Sequence, residues 1–449
     1  MEGMPRLTPN HLHDRRRDAE GILSHALEEC RPDRAVQHAI QVVDGAMMVD
    51  GHRYEFASYE RLLLIAIGKA AKTLTDSFLQ SVGDAASRFE GVVTHTAFAP
   101  WPAGIQCFNV GHPSPTQGSL DAAAATLKLL HSATERDLVV FLISGGGSSM
   151  MEQMLDPGIA LAEVAATHRA LVECGAPIAA MNAVRKHLSA VKGGRLAVAA
   201  APAEQISLFL SDVPSGELDA LASGPTMPDR STLADARRVV TEYGLAERLP
   251  QKVLELLASP DLPETPKLGN AVFQRSHWRV LLDSDSLAES AAAIAGRTGW
   301  QVTIDNTCDD WPVEAAAKYL IERLKALKAS TPDRPVCLIS SGEVTVRVPP
   351  TSSGRGGRNQ HFALLCAVGI AGKDYVVLSA GTDGIDGNSP AAGALVDSST
   401  IARSLEAGFS IQSILADFDS YRLLASVGDI LMLGATGNNL RDLRILMAP

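Results

Sequence analysis

Six short segments gather the residues able to do chemistry, and each follows an apolar run. They are Gly68-Lys69, Gly111-His112-Pro113, Ser144-Gly145-Gly146-Gly147-Ser148-Ser149, Ser211-Asp212-Val213, Ser341-Gly342-Glu343 and Gly381-Thr382-Asp383-Gly384-Ile385-Asp386-Gly387. Lys69 closes its run, so its ammonium is expected at the mouth of a cleft. The triple glycine offers backbone N–H groups to an anion if a helix begins there, although a tight strand-to-helix turn accounts for it as simply. Arg355 and Arg358 lie in a glycine-rich loop before a helical segment, a frame in which a planar guanidinium can grip phosphate. Asp212, Asp219, Asp383 and Asp386 are hard oxygen donors near these cations and suit Mg²⁺ shared with substrate phosphates. The same carboxylates are equally at home in Asx turns and helix caps. His112 and His361 have no partner at metal-ligand spacing and read as structural.

A further basic cluster lies in MNAVRKHLSAVKGGRLA, residues 181–197, which reads as one helix. Val184, Leu188, Val191 and Arg195 fall on one stripe, with Arg185, Ser189 and Lys192 on the next. Arg185, Lys186, Lys192 and Arg195 include no acid among them. A solvated basic face is the plain reading. In an acidic chain, a phosphate or carboxylate partner is the sharper one. Cations, carboxylates and glycine turns, without a serine elbow or a nucleophilic cysteine, are what phosphoryl transfer requires. The residues alone therefore point to a phosphoryl-transfer or anion-handling enzyme.

The elements that must position these loops alternate apolar β-type runs with helical segments. Leu62 to Ile67, Gly91 to Thr94, Ile105 to Val110, Asp137 to Ser144 and Glu204 to Asp212 read as strands with helices between them. Strands that are apolar throughout indicate a parallel sheet covered on both faces, and hence an α/β doubly wound domain whose ligands lie beyond the carboxyl ends of the strands. SPDLPETPKLGN at 259–270 suits a surface crossing, after which βα alternation resumes. Near Pro335 the character changes: Val336 to Ser340 leads to an alternating Val344-Thr345-Val346-Arg347-Val348, read as a β-hairpin in a mixed sheet.

Composition limits the alternatives. The 449 residues suit two or three domains at about 150 residues each. Hydrophobic residues at 46% against 20% charged place the chain among folded globular proteins. With 40 Lys+Arg against 51 Asp+Glu the net charge is −11, which disfavours nucleic acid as a partner. The six cysteines include no C-x-x-C pair, so neither a zinc site nor a redox dithiol is expected. The N-terminal stretch lacks the apolar segment of a secretory leader, and no run approaches the roughly 20 residues that span a bilayer. A cytoplasmic location follows as the expectation. Neither G-x-G-x-x-G nor G-x-x-x-x-G-K-[ST] occurs, since Met150 stands where the third glycine of the first motif would be.

In LISGGGSS, MNAVRKHLSAVKGGRLA, SDVPSGELDALASGPT, GGRNQ and SAGTDGIDG, with GKAA at Gly68 to Ala71, the chain resembles the glycerate 2-kinase family. The motifs run in order from about residue 20 to the C-terminus. The resemblance implies a Rossmann-like N-terminal domain over residues 1–260 and a C-terminal domain over 261–449. The second would contain an α/β MOFRL region with a mixed sheet at about 335–449, and a cleft would separate the two domains. It implies ATP- and Mg²⁺-dependent phosphorylation of D-glycerate at the 2-hydroxyl, giving 2-phosphoglycerate, by a monomer or homodimer. Carried over by residue, Lys69 and Arg358 would neutralise the transferring phosphate, and Asp212 would orient or deprotonate the hydroxyl. Ser144, Gly145, Gly146, Gly147, Ser148 and Ser149 would cradle phosphate. Asn182, Arg185, Lys186, Lys192, Asn359 and Gln360 would bind substrate or nucleotide, and Asp383 and Asp386 would hold the metal.

The chain departs from the family pattern at three places. His361 follows GGRNQ where an acidic residue is usual, GATGNN at 434–439 replaces the usual GPTGTN, and Pro214-Ser215-Gly216-Glu217 differs from the common form. Proteins of this architecture have also been labelled hydroxypyruvate reductases, which would make the chain an NAD(P)H enzyme. The missing G-x-G-x-x-G opposes that reading. A non-catalytic sensor of small sugar acids is a third possibility, opposed by carboxylates placed among the cations.

Overall fold

A computed structural model describes residues 9–97 and 101–449, so the first eight residues of the N-terminal stretch, expected to carry no secretory leader, lie outside it. The chain forms two compact units. The first is Pro32–Leu281. The second joins helix α1 (Pro9–Glu29) to the chain from Leu282 onward. The 259–270 crossing thus lies within the first unit, and the N-terminal helix belongs with the C-terminal half.

The first unit is built on six strands: β1 (Arg61–Ile67), β2 (Phe89–His95), β3 (Ile105–Asn109), β4 (Asp137–Ser144), β5 (Glu204–Leu210) and β6 (Ser276–Leu282). Their order across the sheet is β3-β2-β1-β4-β5-β6. The ladders β2–β3, β1–β2, β1–β4 and β4–β5 are all parallel. β4 is buried along its whole length and β1 along all but its first residue, which is why both are apolar without alternation. Helix α2 (Ala71–Val82) starts directly after β1. A small antiparallel sheet of Gln41–Val43, Ala46–Val49 and His52–Glu55, not foreseen in the sequence, precedes β1.

The single helix expected over 181–197 is two. Helix α4 (Ile178–Leu188) ends at Ser189, and α5 (Arg195–Ala200) begins after Gly193 and Gly194. Both glycines have positive φ, +56° and +82°, and a Cβ on Gly194 would press on Met227 O and Pro266. The helix has already ended at Ser189, which is extended and bridged to Met154, and the left-handed glycine pair turns the chain into α5. The helix that begins at the last of the three glycines is short: α3 is the single turn Gly147–Met150.

The second unit carries a mixed sheet of β7 (Gln301–Ile304), β8 (Val336–Ser341), β9 (Val376–Gly381), β10 (Gly393–Asp397), β11 (Ile430–Leu431) and β12 (Asp442–Ala448), in the order β7-β8-β12-β9-β10-β11. β7 and β8 are parallel, and the remaining ladders are antiparallel. Helices α6 (Val313–Ser330) and α7 (Arg358–Ile370) pack their apolar residues against it. The β-hairpin expected at 344–348 is absent. Thr345 instead exchanges backbone hydrogen bonds with Trp311 and Val313 beside the start of α6. The valine alternation there arises because Val344 and Val346 turn into the core cluster of this unit.

Candidate active-site residues

The strand order of the first unit reverses between β1 and β4, and in such sheets the crevice beyond the carboxyl ends at that point receives ligands. Lys69 follows β1 there, and its backbone N–H donates to Gly145 O at 2.9 Å. Ala70 N donates to Ser144 Oγ at 3.0 Å, so the two strand ends are stitched together. Each glycine of the triple is required by a neighbour. A Cβ on Gly145 would overlap the Asp212 carboxylate, and one on Gly147 would overlap Ala222. Gly146 has φ +82°, and its missing side chain leaves room for Lys69 and His112. Lys69, His112, the triple glycine and Asp212 thus converge from four strand ends onto one place. The lysine is exposed and the aspartate is half-buried.

His112, read from sequence as structural, belongs to this cluster. Although its side chain is exposed, partial desolvation and the nearby Lys69 ammonium lower its pKa. The serine hydroxyls of the loop are partly committed. Ser148 Oγ meets Ser223 Oγ at 2.8 Å, Ser149 Oγ donates to Gly146 O, and Ser223 Oγ donates to Asn182 Oδ1 at 3.1 Å. Ala222 and Ser223 both have positive φ, +49° and +61°, an arrangement that non-glycine residues keep only when the surroundings enforce it. Arg185 Nη1 donates to the same Asn182 oxygen at 3.4 Å, while its Nε is buried without a hydrogen-bond partner among the described residues.

Two of the expected binding cations are framework residues. Lys186 Nζ is buried and bridges Asp219 Oδ2 at 2.9 Å and Asp229 Oδ1 at 3.0 Å. Lys192, 1% exposed, donates to Glu152 Oε2 at 2.6 Å and Met151 O at 3.2 Å. Burial opposes the charge on Glu152, yet Lys192 and His168 hold its carboxyl low, at about 2. The basic face inferred over 181–197 therefore finds its acids elsewhere in the sequence. Asn182 is also buried, and its contacts are internal.

In the second unit Arg358 is the first residue of α7 and is held by two carboxylates. Its Nε donates to Asp442 Oδ2 at 2.6 Å, and its Nη2 to Asp442 Oδ1 at 3.0 Å and to Glu343 Oε1 at 2.7 Å. Burial works against this charge, but Asp442 and Glu343 raise the guanidinium pKa above its usual value. The edge through which arginine grips phosphate with Nε and Nη2 is already taken. Nη1 makes no hydrogen bond among the described residues.

Asp386 accepts four N–H bonds: Asn359 N at 3.0 Å and Nδ2 at 3.3 Å on Oδ1, and Gln360 N at 2.8 Å and Nε2 at 3.0 Å on Oδ2. It caps α7, its lone pairs are occupied, and it does not suit a metal. That corrects its expected role. Asn359 and Gln360 are corrected with it, since both are buried and bonded to Asp386, Asp442, Ser379 and Ser389. Asp383 is exposed and its Oδ1 accepts from Ile385 N at 3.0 Å. It fits as a single Mg²⁺ ligand, in keeping with a metal held by one or two carboxylates plus phosphates. Among the described residues no group of three or more His, Cys, Asp or Glu could hold a metal alone.

Arg358, Glu343 and Asp383 border a cavity of about 710 Å³. The glycines of SSGRGGRNQ serve close approach: a Cβ on Gly354 would strike the backbone of Asp417 and Phe418, and one on Gly357 would strike Asp386. Arg355 is occupied with Tyr421, its guanidinium 4.7 Å from the ring centroid. Asp442 was not singled out from sequence. The available signal was Asp442 and Arg444 two apart in the otherwise apolar DLRILMA, which places both on one face of β12.

Comparisons with known proteins identify the family. Residues 18–258 match the family model described as a domain of unknown function, DUF4147, and residues 336–442 match the MOFRL family. A D-glycerate 2-kinase of Thermotoga maritima is 35% identical over 432 residues, 94% of this chain and 96% of that protein. A crystal structure of glycerate kinase from Thermotoga maritima superposes with a TM-score of 0.83 at 32% identity, covering 97% of this chain and 100% of that one. A protein of Agrobacterium vitis bearing a hydroxypyruvate reductase name is 35% identical over 86% of this chain and 87% of its own length. No helix among the described residues is long and apolar enough to cross a membrane.

Proposed function

The chain belongs to the glycerate 2-kinase family, and from that premise we propose that it transfers the γ-phosphoryl group of ATP to the 2-hydroxyl of D-glycerate, giving 2-phosphoglycerate and ADP. The observation that carries this reading is the convergence of Lys69, the triple glycine and Asp212 on the switch point of the parallel sheet. As the glycerate oxygen bonds to phosphorus and the bond to the ADP oxygen breaks, Asp212 takes the hydroxyl proton. Lys69 neutralises charge on the transferring group, and Arg358 offers its guanidinium to phosphate within the second unit. Arg185 is the basic residue of α4 retained for the substrate carboxylate. Asp383 is the carboxylate that would hold Mg²⁺, which would supply charge neutralisation on the donor phosphates. A cytoplasmic enzyme, monomer or homodimer, is the corresponding cellular reading.

A coupled assay with D-glycerate, ATP and Mg²⁺, with the product identified as 2- or 3-phosphoglycerate, tests the proposal. Formation of 2-phosphoglycerate that EDTA abolishes is the expected result. A parallel reaction with hydroxypyruvate and NAD(P)H tests the rival that the Agrobacterium name suggests. Cofactor oxidation without phosphorylation would overturn the kinase reading.

A further inference from the structure

We propose that the cavity of the second unit is the nucleoside pocket of the phosphoryl donor, with Phe418 as its aromatic wall. The inference rests on the phosphoryl-transfer reading and adds where the heteroaromatic base of the donor sits. The cavity, about 710 Å³, falls within the roughly 300–1,000 Å³ typical of small-molecule sites. Its lining joins one cation, Arg358, whose Nη1 makes no hydrogen bond among the described residues, to the carboxylates of Glu343, Asp383 and Asp386, and Val346, Val348, Ile385 and Phe418 add apolar surface.

D-glycerate cannot account for that apolar surface. It carries an oxygen on each of its three carbons and has no hydrophobic face. A nucleoside triphosphate has both of the required parts, a planar base for the apolar walls and a phosphate chain for the arginine.

Phe418 is the most constrained residue of the lining. Its φ is +53°, a left-handed conformation that a bulky side chain adopts only at a cost in free energy. Two contacts hold it there. The side-chain-free Gly354 packs on its backbone, and its ring stacks on buried His361 at 4.6 Å between centroids with 19° between planes. Burial lowers the His361 pKa, so the imidazole behind the ring is neutral at neutral pH. A neutral, braced aromatic ring bordering a cavity is a stacking platform for a base. Strain of this kind is characteristic of ligand sites.

The test is fluorescence titration with mant-ADP, together with separate KM values for ATP and D-glycerate, on wild type, Phe418→Gly and Ile385→Asn. Glycine accepts the left-handed backbone, so the first variant removes the ring and relieves the strain together. Ile385 is exposed and its replacement does not threaten folding. The expected result is mant-ADP affinity weakened at least tenfold in Phe418→Gly and measurably in Ile385→Asn, with a parallel rise in the KM for ATP and an unchanged KM for D-glycerate. Unaltered mant-ADP binding in both variants would overturn the assignment. So would a rise confined to the KM for D-glycerate, which would make the cavity the acceptor site. A wild-type protein that transfers no phosphate to D-glycerate would instead overturn the functional reading on which the assignment rests.

Discussion

Asp442 receives Arg358 on both of its oxygens, from Nε at 2.6 Å and from Nη2 at 3.0 Å, at a point with no solvent exposure. The carboxylate also lies 3.6 Å from the buried Arg444, so one acid stands between two arginines. By holding Nε and Nη2 together, it fixes the plane of the Arg358 guanidinium. Asp442→Asn should lower turnover on the order of 100-fold, comparable to losing one oriented donor at a reacting phosphoryl group. If it acts through Arg358, adding Asp442→Asn to an Arg358→Lys protein should bring little further loss in kcat, because groups acting as a unit are non-additive. A double variant whose losses multiply would show that the two residues act independently.

Gly145 is a second point of leverage. A methyl group there overlaps the Asp212 carboxylate, so Gly145→Ala must displace the proposed base while leaving the apolar sheet beneath it intact. Displacement of a reacting group by about 1 Å commonly costs on the order of 100-fold in rate. The expected result is a kcat close to that of Asp212→Asn, with an unchanged far-ultraviolet circular dichroism spectrum. A Gly145→Ala protein with normal turnover would remove Asp212 from the reaction.

The parallel sheet and its loops were legible in the sequence because β1, β4 and β5 are buried on both faces and so lack any alternation that could be mistaken for a helix. The same reasoning failed where a side chain answers to residues far along the chain. Lys186 and Lys192 looked unpaired in the sequence because their acids, Asp219, Asp229 and Glu152, lie 33 to 43 residues away. Asp386 resembled a metal ligand because a helix cap supplied from another loop has no local signature. Asp442 was overlooked because its partner, Arg358, is 84 residues distant. His112 was set aside for want of a metal partner, though its position after β3 placed it beside Lys69.

The buried pair of Lys192 and Glu152 leads to a prediction that separates framework from binding site. Replacing one member of such a pair leaves the other charged without its partner, which costs about 3–5 kcal/mol. Lys192→Met should therefore lower the urea midpoint of unfolding substantially, while the folded fraction keeps its KM for both substrates. A raised KM with unchanged stability would return Lys192 to the binding residues.

Asp386 carries the clearest pH signature. Burial, reinforced by the nearby Asp442 carboxylate, raises its pKa from an ordinary 3.8 to about 6, against the lowering effect of the N–H groups of Asn359 and Gln360. Between those two values the folded chain holds a proton on Asp386 that the unfolded chain has released. Stability from this group is therefore greatest below about pH 4, falls as pH rises through 6, and is lower by about 3 kcal/mol above it. Many other groups titrate over the same range, so the effect is read as a difference between two proteins. The stability of wild type relative to Asp386→Asn, from urea unfolding at pH 4.5, 5.5, 6.5 and 7.5, should shift toward the variant as pH rises and level off above about 7. A difference constant across that series would mean that Asp386 is ionised throughout, and that the cap on α7 is a carboxylate at every pH tested.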